Sequence, residues 1–247
     1  MIHLKNNSEI EKMYYAGQIV KNTLFMLEEF IKPGITTIEL DRMAEEFILK
    51  QKAKPGFKGL YDFPNTLCVS IDDEVVHGLP SNTDLKEGQI VGIDVGSIYE
   101  GFYGDHAKTF KVGKVEESVE QLVETTKESL YKGIEQAIDG NTIGDIGYAI
   151  QTYCEQNSYS IVKDLVGHGI GRKLHEDPQI PNYGNKGHGV KIEVGMCMAI
   201  EPMVNLGKPE VISKEDGWTI STLDGSLSAH FEHTIAVTEK GTKILTK

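Results

Sequence analysis

A chain of 247 residues, 39% hydrophobic and 25% charged, can bury a substantial core and has the make-up of an ordinary water-soluble globular protein. Its formal charge of −12 and scattered lysines argue against nucleic acid or an anionic membrane as partner. No run nears the roughly 20 apolar residues of a membrane span, the start lacks a signal-peptide core, and three cysteines without a Cys-x-x-Cys spacing predict a reducing cytoplasmic setting.

Ser8-Glu9-Ile10-Glu11 reads as a capping box opening a helix to about Ile31, where Lys32-Pro33-Gly34 stops it. Thr36-Thr37-Ile38-Glu39 opens a second helix, with Leu40, Met43, Ala44, Phe47 and Ile48 at helical spacing. Strands are predicted over 67–71, 89–95 and 101–112. A second helix pair follows over about 118–138 and 142–156, broken at Asp139-Gly140-Asn141, and strands over 160–166, 196–204 and 229–237 complete the chain. The order helix, helix, strands therefore occurs twice. Gly34 to Leu40 lies against Gly140 to Ile146 at an offset of 106, and Asp94 then falls near Glu201. The expectation is a duplicated α+β fold in one domain, with halves of about 1–112 and 113–247 feeding one central site.

Acids inside apolar runs carry the strongest chemical signal. Asp94 interrupts Ile90-Val91-Gly92-Ile93-Asp94-Val95, Glu201 follows Met198-Ala199-Ile200, and Glu232 opens a strand-like run to Val237. A carboxylate withdrawn from water costs several kcal/mol unless a cation or hydrogen-bond donors compensate it. One such acid is ordinarily an edge residue facing solvent; several, with a histidine, point to metal. A hairpin centred between Tyr99 and Glu100 would set Asp94 directly opposite Asp105, about 5 Å apart, where a pKa rises or a cation sits between. His168, flanked by Gly167 and Gly169, supplies an imidazole; a lone histidine is more often a hydrogen-bonded core or surface residue. Together Asp94, Asp105, His168, Glu201 and Glu232 suit two divalent ions sharing bridging carboxylates. Manganese, iron(II) and cobalt fit this set, and zinc stays open.

Further motifs surround these acids: Asp73-Glu74-Val75-Val76-His77-Gly78-Leu79-Pro80, Gly167-His168-Gly169-Ile170-Gly171, Leu174-His175-Glu176, Ala199-Ile200-Glu201-Pro202 and Phe231-Glu232-His233-Thr234. With steps of 11, 63, 33 and 31 residues between successive acidic or histidine positions, the whole chain resembles the bacterial type I methionine aminopeptidases of the pita-bread peptidase fold. The resemblance implies that Asp94 chelates one ion, His168 and Glu201 the other, and Asp105 and Glu232 both, with a hydroxide between the ions as nucleophile. It further implies Glu201 as proton shuttle, His175 as a donor to the scissile amide, and His77 as a contact to the peptide beyond the cleaved bond. Phe63, Cys68, Leu174 and Trp218 would wall the methionine pocket. Leu174 stands where the family commonly has phenylalanine, Asp72 where it often has asparagine, and Leu79 where it often has isoleucine.

The implied substrates are peptide and nascent-chain N-termini, met near the ribosome by a monomer. Prolidases share the metal set but usually carry an extra N-terminal domain. A type II enzyme needs an insertion for which the 33-residue step from His168 to Glu201 leaves no room. A pseudoenzyme would lack ligands, and none is missing.

Overall fold

The computed structural model describes all 247 residues. Helix α1 (Asn7–Glu28) starts from Asn6 rather than Ser8. The Asn6 side chain accepts Glu9 N at 3.1 Å while the Glu9 carboxylate accepts Asn6 N at 3.1 Å, so the box runs from residue 6 to residue 9. Asparagine caps as well as serine, and this box closes two residues upstream of the expected one. The helix also ends before Ile31: the amides of Phe30 and Ile31 both turn back to Leu27 O, a tightened last turn ahead of Pro33.

Helix α2 (Thr37–Lys50) keeps its expected box and buries Leu40, Ala44 and Ile48, while Met43 and Phe47 stay partly exposed. It also buries Asp41, whose carboxylate accepts Thr66 N at 2.9 Å and Leu67 N at 2.8 Å and so fixes the start of the Leu67–Ile71 strand. Helices α3 (Glu117–Gln136) and α4 (Ile143–Gln156) follow the same plan. Asp145 accepts from Thr142 N and Oγ1 as Glu39 does from Thr36 N and Oγ1. Isolated bridges join Thr36 to Asp84 and Thr142 to Lys191, at corresponding places before the two helices. No helix is long and apolar enough to cross a membrane.

Each helix pair covers its own strands. Val20, Leu24, Leu40 and Ile48 pack with Val91 and Ile93 in one buried cluster, and Leu122, Leu130, Ile146 and Ile150 with Met198 and Ile235 in another. Around the first, a four-stranded antiparallel sheet is built on the Ile90–Tyr99 and Phe102–Lys111 hairpin. The second lies under a five-stranded antiparallel sheet that includes Gly167–Gly169, Glu176–Ile180, Cys197–Ile200 and His233–Thr238.

The hairpin register corrects the sequence reading. Glu100 (φ 47°) and Gly101 (φ 81°) form a two-residue loop with both residues left-handed, the geometry that matches strand twist, and Tyr99 pairs with Phe102. The centre therefore falls between Glu100 and Gly101. Asp94 stands opposite Ala107 and Asp105 opposite Gly96, so the two acids are diagonal neighbours on one face rather than a facing pair.

The last third also departs from its expected strands. Only Ser160–Ile161 pairs within 160–166; Pro202 splits 196–204, and 229–237 breaks at Phe231-Glu232. Proline has no N–H for a ladder, which ends the strand there. Glu201 and Glu232 both sit in these breaks, where the chain passes from one sheet to the next. Two threonines sew the sheets together across the gap. Thr234 Oγ1 donates to Asp105 O and accepts from Asp105 N, and Thr109 Oγ1 donates to His230 O and accepts from His230 N.

Candidate active site

That seam brings the acids together. Asp94 and Asp105 share a face of the hairpin, and Glu232 N donates to Ala107 O at 3.0 Å, which sets Glu232 beside them. His168 lies on the next strand, paired with Ala199, two residues before Glu201. Its Nε2 is 3.5 Å from Glu201 Oε1 and 3.9 Å from Asp105 Oδ2. The other ring nitrogen, Nδ1, faces Gly169 O at 2.9 Å, which fixes the ring and leaves Nε2 turned inward.

The electrostatics are those of a site built for positive charge. Burial pushes Asp94 up to about 7 and Glu201 up to about 8. Asp105 and Glu232, 3% and 1% exposed, lie well above the usual carboxylate range, first through burial and then through the neighbouring carboxylates. Burial also drives His168 down to about 4, so its imidazole is neutral and its lone pair free at neutral pH. Asp94 Oδ1, Asp105 Oδ1 and Glu232 Oε1 are buried without any hydrogen-bond partner. Ligand atoms of Asp105, His168 and Glu232 lie within 4.8 Å of one another. Buried, unpartnered oxygen donors joined by one neutral imidazole fit divalent cations and leave the acids poorly explained without them.

The acids form the floor of a cavity of about 910 Å³. All eleven residues singled out from the sequence line it: the five donors, His77 and His175, and Phe63, Cys68, Leu174 and Trp218. Phe63 and Trp218 pack edge to face at 5.0 Å, and Leu174 and Cys68 belong to the same buried apolar cluster. Burial, then the nearby carboxylates, pushes the Cys68 thiol well up, consistent with a wall rather than a nucleophile. His175 meets the His168 ring edge-on at 4.5 Å.

Sequence reasoning missed several lining residues. Phe57 and Tyr61 come from a loop with no periodicity to show which way a side chain faces; Tyr61 stacks on His175 with ring centroids 6.0 Å apart. His230 was also missed. It is 4% exposed, its Nε2 has no hydrogen-bond partner, and that atom lies 3.7 Å from Glu201 Oε2. Its two-residue spacing from Glu232 was the available signal.

Comparison with known proteins agrees with this geometry. The profile of metallopeptidase family M24 matches residues 11–239. A methionine aminopeptidase of Clostridium perfringens is 53% identical over 246 residues, covering 100% of this chain and 99% of the relative. The chain belongs to family M24, among its bacterial type I methionine aminopeptidases. Methionine aminopeptidase 1 of Bacillus subtilis is 49% identical, with both chains fully covered. The crystal structure of the Thermotoga maritima methionine aminopeptidase superposes with a TM-score of 0.98 at 48% identity, over the whole of both chains. The prolidase of Pyrococcus furiosus has a TM-score of 0.78 at 24% identity, and this chain spans 65% of it, so that likeness shows the shared pita-bread fold alone. Family membership makes the chain a metallopeptidase, in keeping with its donor set.

Proposed function

We propose that this protein hydrolyses the N-terminal methionine from peptides and nascent chains with two divalent ions, and that a small second residue favours the reaction. The observation that carries this reading is the convergence of four inward-facing carboxylates and His168 on the floor of one apolar-walled cavity. In this reading Asp94 would hold one ion, His168 and Glu201 the other, and Asp105 and Glu232 both. Bound there, manganese, iron(II) or cobalt would supply Lewis acidity and make the hydrolytic water more acidic.

The chain's own residues do the rest. Phe63, Trp218, Leu174 and Cys68 take the unbranched methionine side chain between apolar surfaces and exclude water from it. His175, on the cavity wall beside His168, donates to the scissile carbonyl oxygen and stabilises the negative charge that develops there. Glu201 takes a proton from the attacking water and passes it to the leaving amine. His77, on the same cavity wall, contacts the peptide beyond the cleaved bond.

The parallel capping boxes and matching bridges of Thr36 and Thr142 support a duplicated origin of the two halves within one domain. Three free, buried cysteines suit a cytoplasmic setting, close to the ribosome that supplies nascent N-termini. Action as a monomer is part of the same proposal.

Release of methionine from Met-Ala-Ser and Met-Ile-Ser, with manganese or cobalt added, tests this function. Met-Ala-Ser is expected to be cleaved much faster. Equal rates would remove the size rule, and no release with any metal would remove the enzyme assignment. By the same rule, the bulky Ile2 protects the enzyme's own Met1, which intact-mass measurement of native material will show as retained.

A further inference from the structure

Lys5 lies outside the span matched by the family profile, yet it is buried, at 8% exposure. Its ammonium stands 2.6 Å from Glu176 Oε2, and both side chains are 6% exposed. Lysines ordinarily leave the charged head in water, because a desolvated ammonium is tolerated only with a close, well-bonded partner. Glu176 is such a partner. Its other oxygen accepts Lys173 N at 3.1 Å. Burial opposes ionisation of this carboxyl, but the Lys5 and Lys173 contacts outweigh it and hold it below its usual range. The Lys5 backbone is fixed as well, its N–H donating to Gly195 O at 2.7 Å.

The position of this pair gives it meaning. Glu176 directly follows His175, and it pairs with Gly169, which directly follows His168, at an irregular step in the strand register. The turn between the two histidines closes around the lysine. A Cβ on Gly171 would lie 2.4 Å from Lys5 Cε and 2.8 Å from Glu176 Oε1, so the glycine lies directly against the pair. By contrast, the Lys12–Glu100 pair is exposed on both members, the kind of contact worth little.

We propose that Lys5 is a positioning residue for methionine release: its buried ion pair with Glu176 fixes the 171–176 turn and aims the His175 ring at the scissile bond. The inference rests on the reading of His175 as the oxyanion donor. Lys5 lines the same cavity without being one of the five donors or a pocket wall, and the turn it fixes carries Leu174 as well as His175. Its loss through His175 therefore appears in kcat, where a misplacement near 1 Å costs on the order of 100-fold, while a shift of Leu174 appears in KM.

The test is steady-state kinetics on Met-Ala-Ser with four proteins. Lys5→Met is expected to lower kcat roughly 10- to 100-fold, a larger change than any in KM. In a His175→Ala background the same substitution should lower kcat no further, because its effect passes through the missing ring. An unchanged kcat in Lys5→Met, or losses that multiply in the double variant, would overturn the proposal. Should Lys5→Met fail to fold with Glu176 left unpaired, K5M/E176L removes both buried charges together. On the proposal it folds and keeps the low kcat; a return to the wild-type kcat refutes it. Wild-type protein in the same assay reports separately on the functional reading.

Discussion

Asp105→Asn is expected to abolish turnover while leaving the fold intact. The Asp105 backbone is held at both its N–H and its carbonyl by the Thr234 hydroxyl, so its place in the hairpin does not depend on the side-chain charge. The carboxylate is poorly compensated where it lies: Oδ1 is buried without a partner, and burial together with neighbouring carboxylates disfavours its ionisation. Asparagine keeps the shape and removes the charge. In the metal-free protein the change should leave the melting temperature equal or raise it, because a buried acid whose ionisation the fold disfavours has gone. With metal the balance reverses. A bridging ligand is lost, and metal assistance supplies several kcal/mol of transition-state stabilisation, so the drop in kcat should be about 10³-fold or more. Turnover at saturating manganese, calorimetric metal titration and melting with and without chelator measure the three parts. Near-normal turnover at saturating metal would eliminate the bridging role. A large fall in melting temperature with chelator present would make Asp105 a residue of the fold instead.

Asp94, Glu201 and Glu232 were legible because each contradicts its surroundings: an acid inside an apolar run asks for compensation that local sequence does not supply. Helix existence was legible for a related reason, since caps such as Thr36 with Glu39 act within four residues. What failed was register and interruption. Counting Tyr99 into the turn moved the hairpin centre by one residue, which shifted Asp94 from opposite Asp105 to diagonal from it. Local propensity also ran the Met196 to Val204 stretch straight through Pro202. Nothing local shows that the chain changes sheets there, although that change is what turns Glu201 into the cavity. Lys5 was the least legible residue of all. Its partner lies 171 positions away, and a lysine near the start of a chain reads as solvated until the fold buries it.

Stripping metal from the enzyme should leave a protein whose stability falls as pH rises from about 6.5 to 8.5. Asp94 and Glu201 have folded values of about 7 and 8, against 3.8 and 4.5 for the ordinary groups, and Asp105 and Glu232 are raised well above theirs. A raised carboxyl contributes stability that is complete below the ordinary value and is lost as pH climbs through the folded one, because the unfolded chain releases its proton first. The histidines act in the opposite sense. His168 and His106 are driven down to about 4, so they add stability between about pH 4 and 6.5 and nothing changes for them above that. The carboxylates are therefore unopposed in the upper window. Each pH unit of unmatched titration is worth roughly 1.4 kcal/mol per group before coupling reduces it, and 1 kcal/mol moves the melting temperature of a chain this size by about 2–4 °C. A drop on the order of 10 °C between pH 6.5 and 8.5 is expected with chelator present. Saturating manganese should flatten or reverse it, since cations bind the deprotonated donors and link their affinity to folding. Scanning calorimetry across that window decides the matter. A metal-free melting temperature that holds level or rises with pH would mean that water already solvates these acids, and the case for a cation-holding floor would fail.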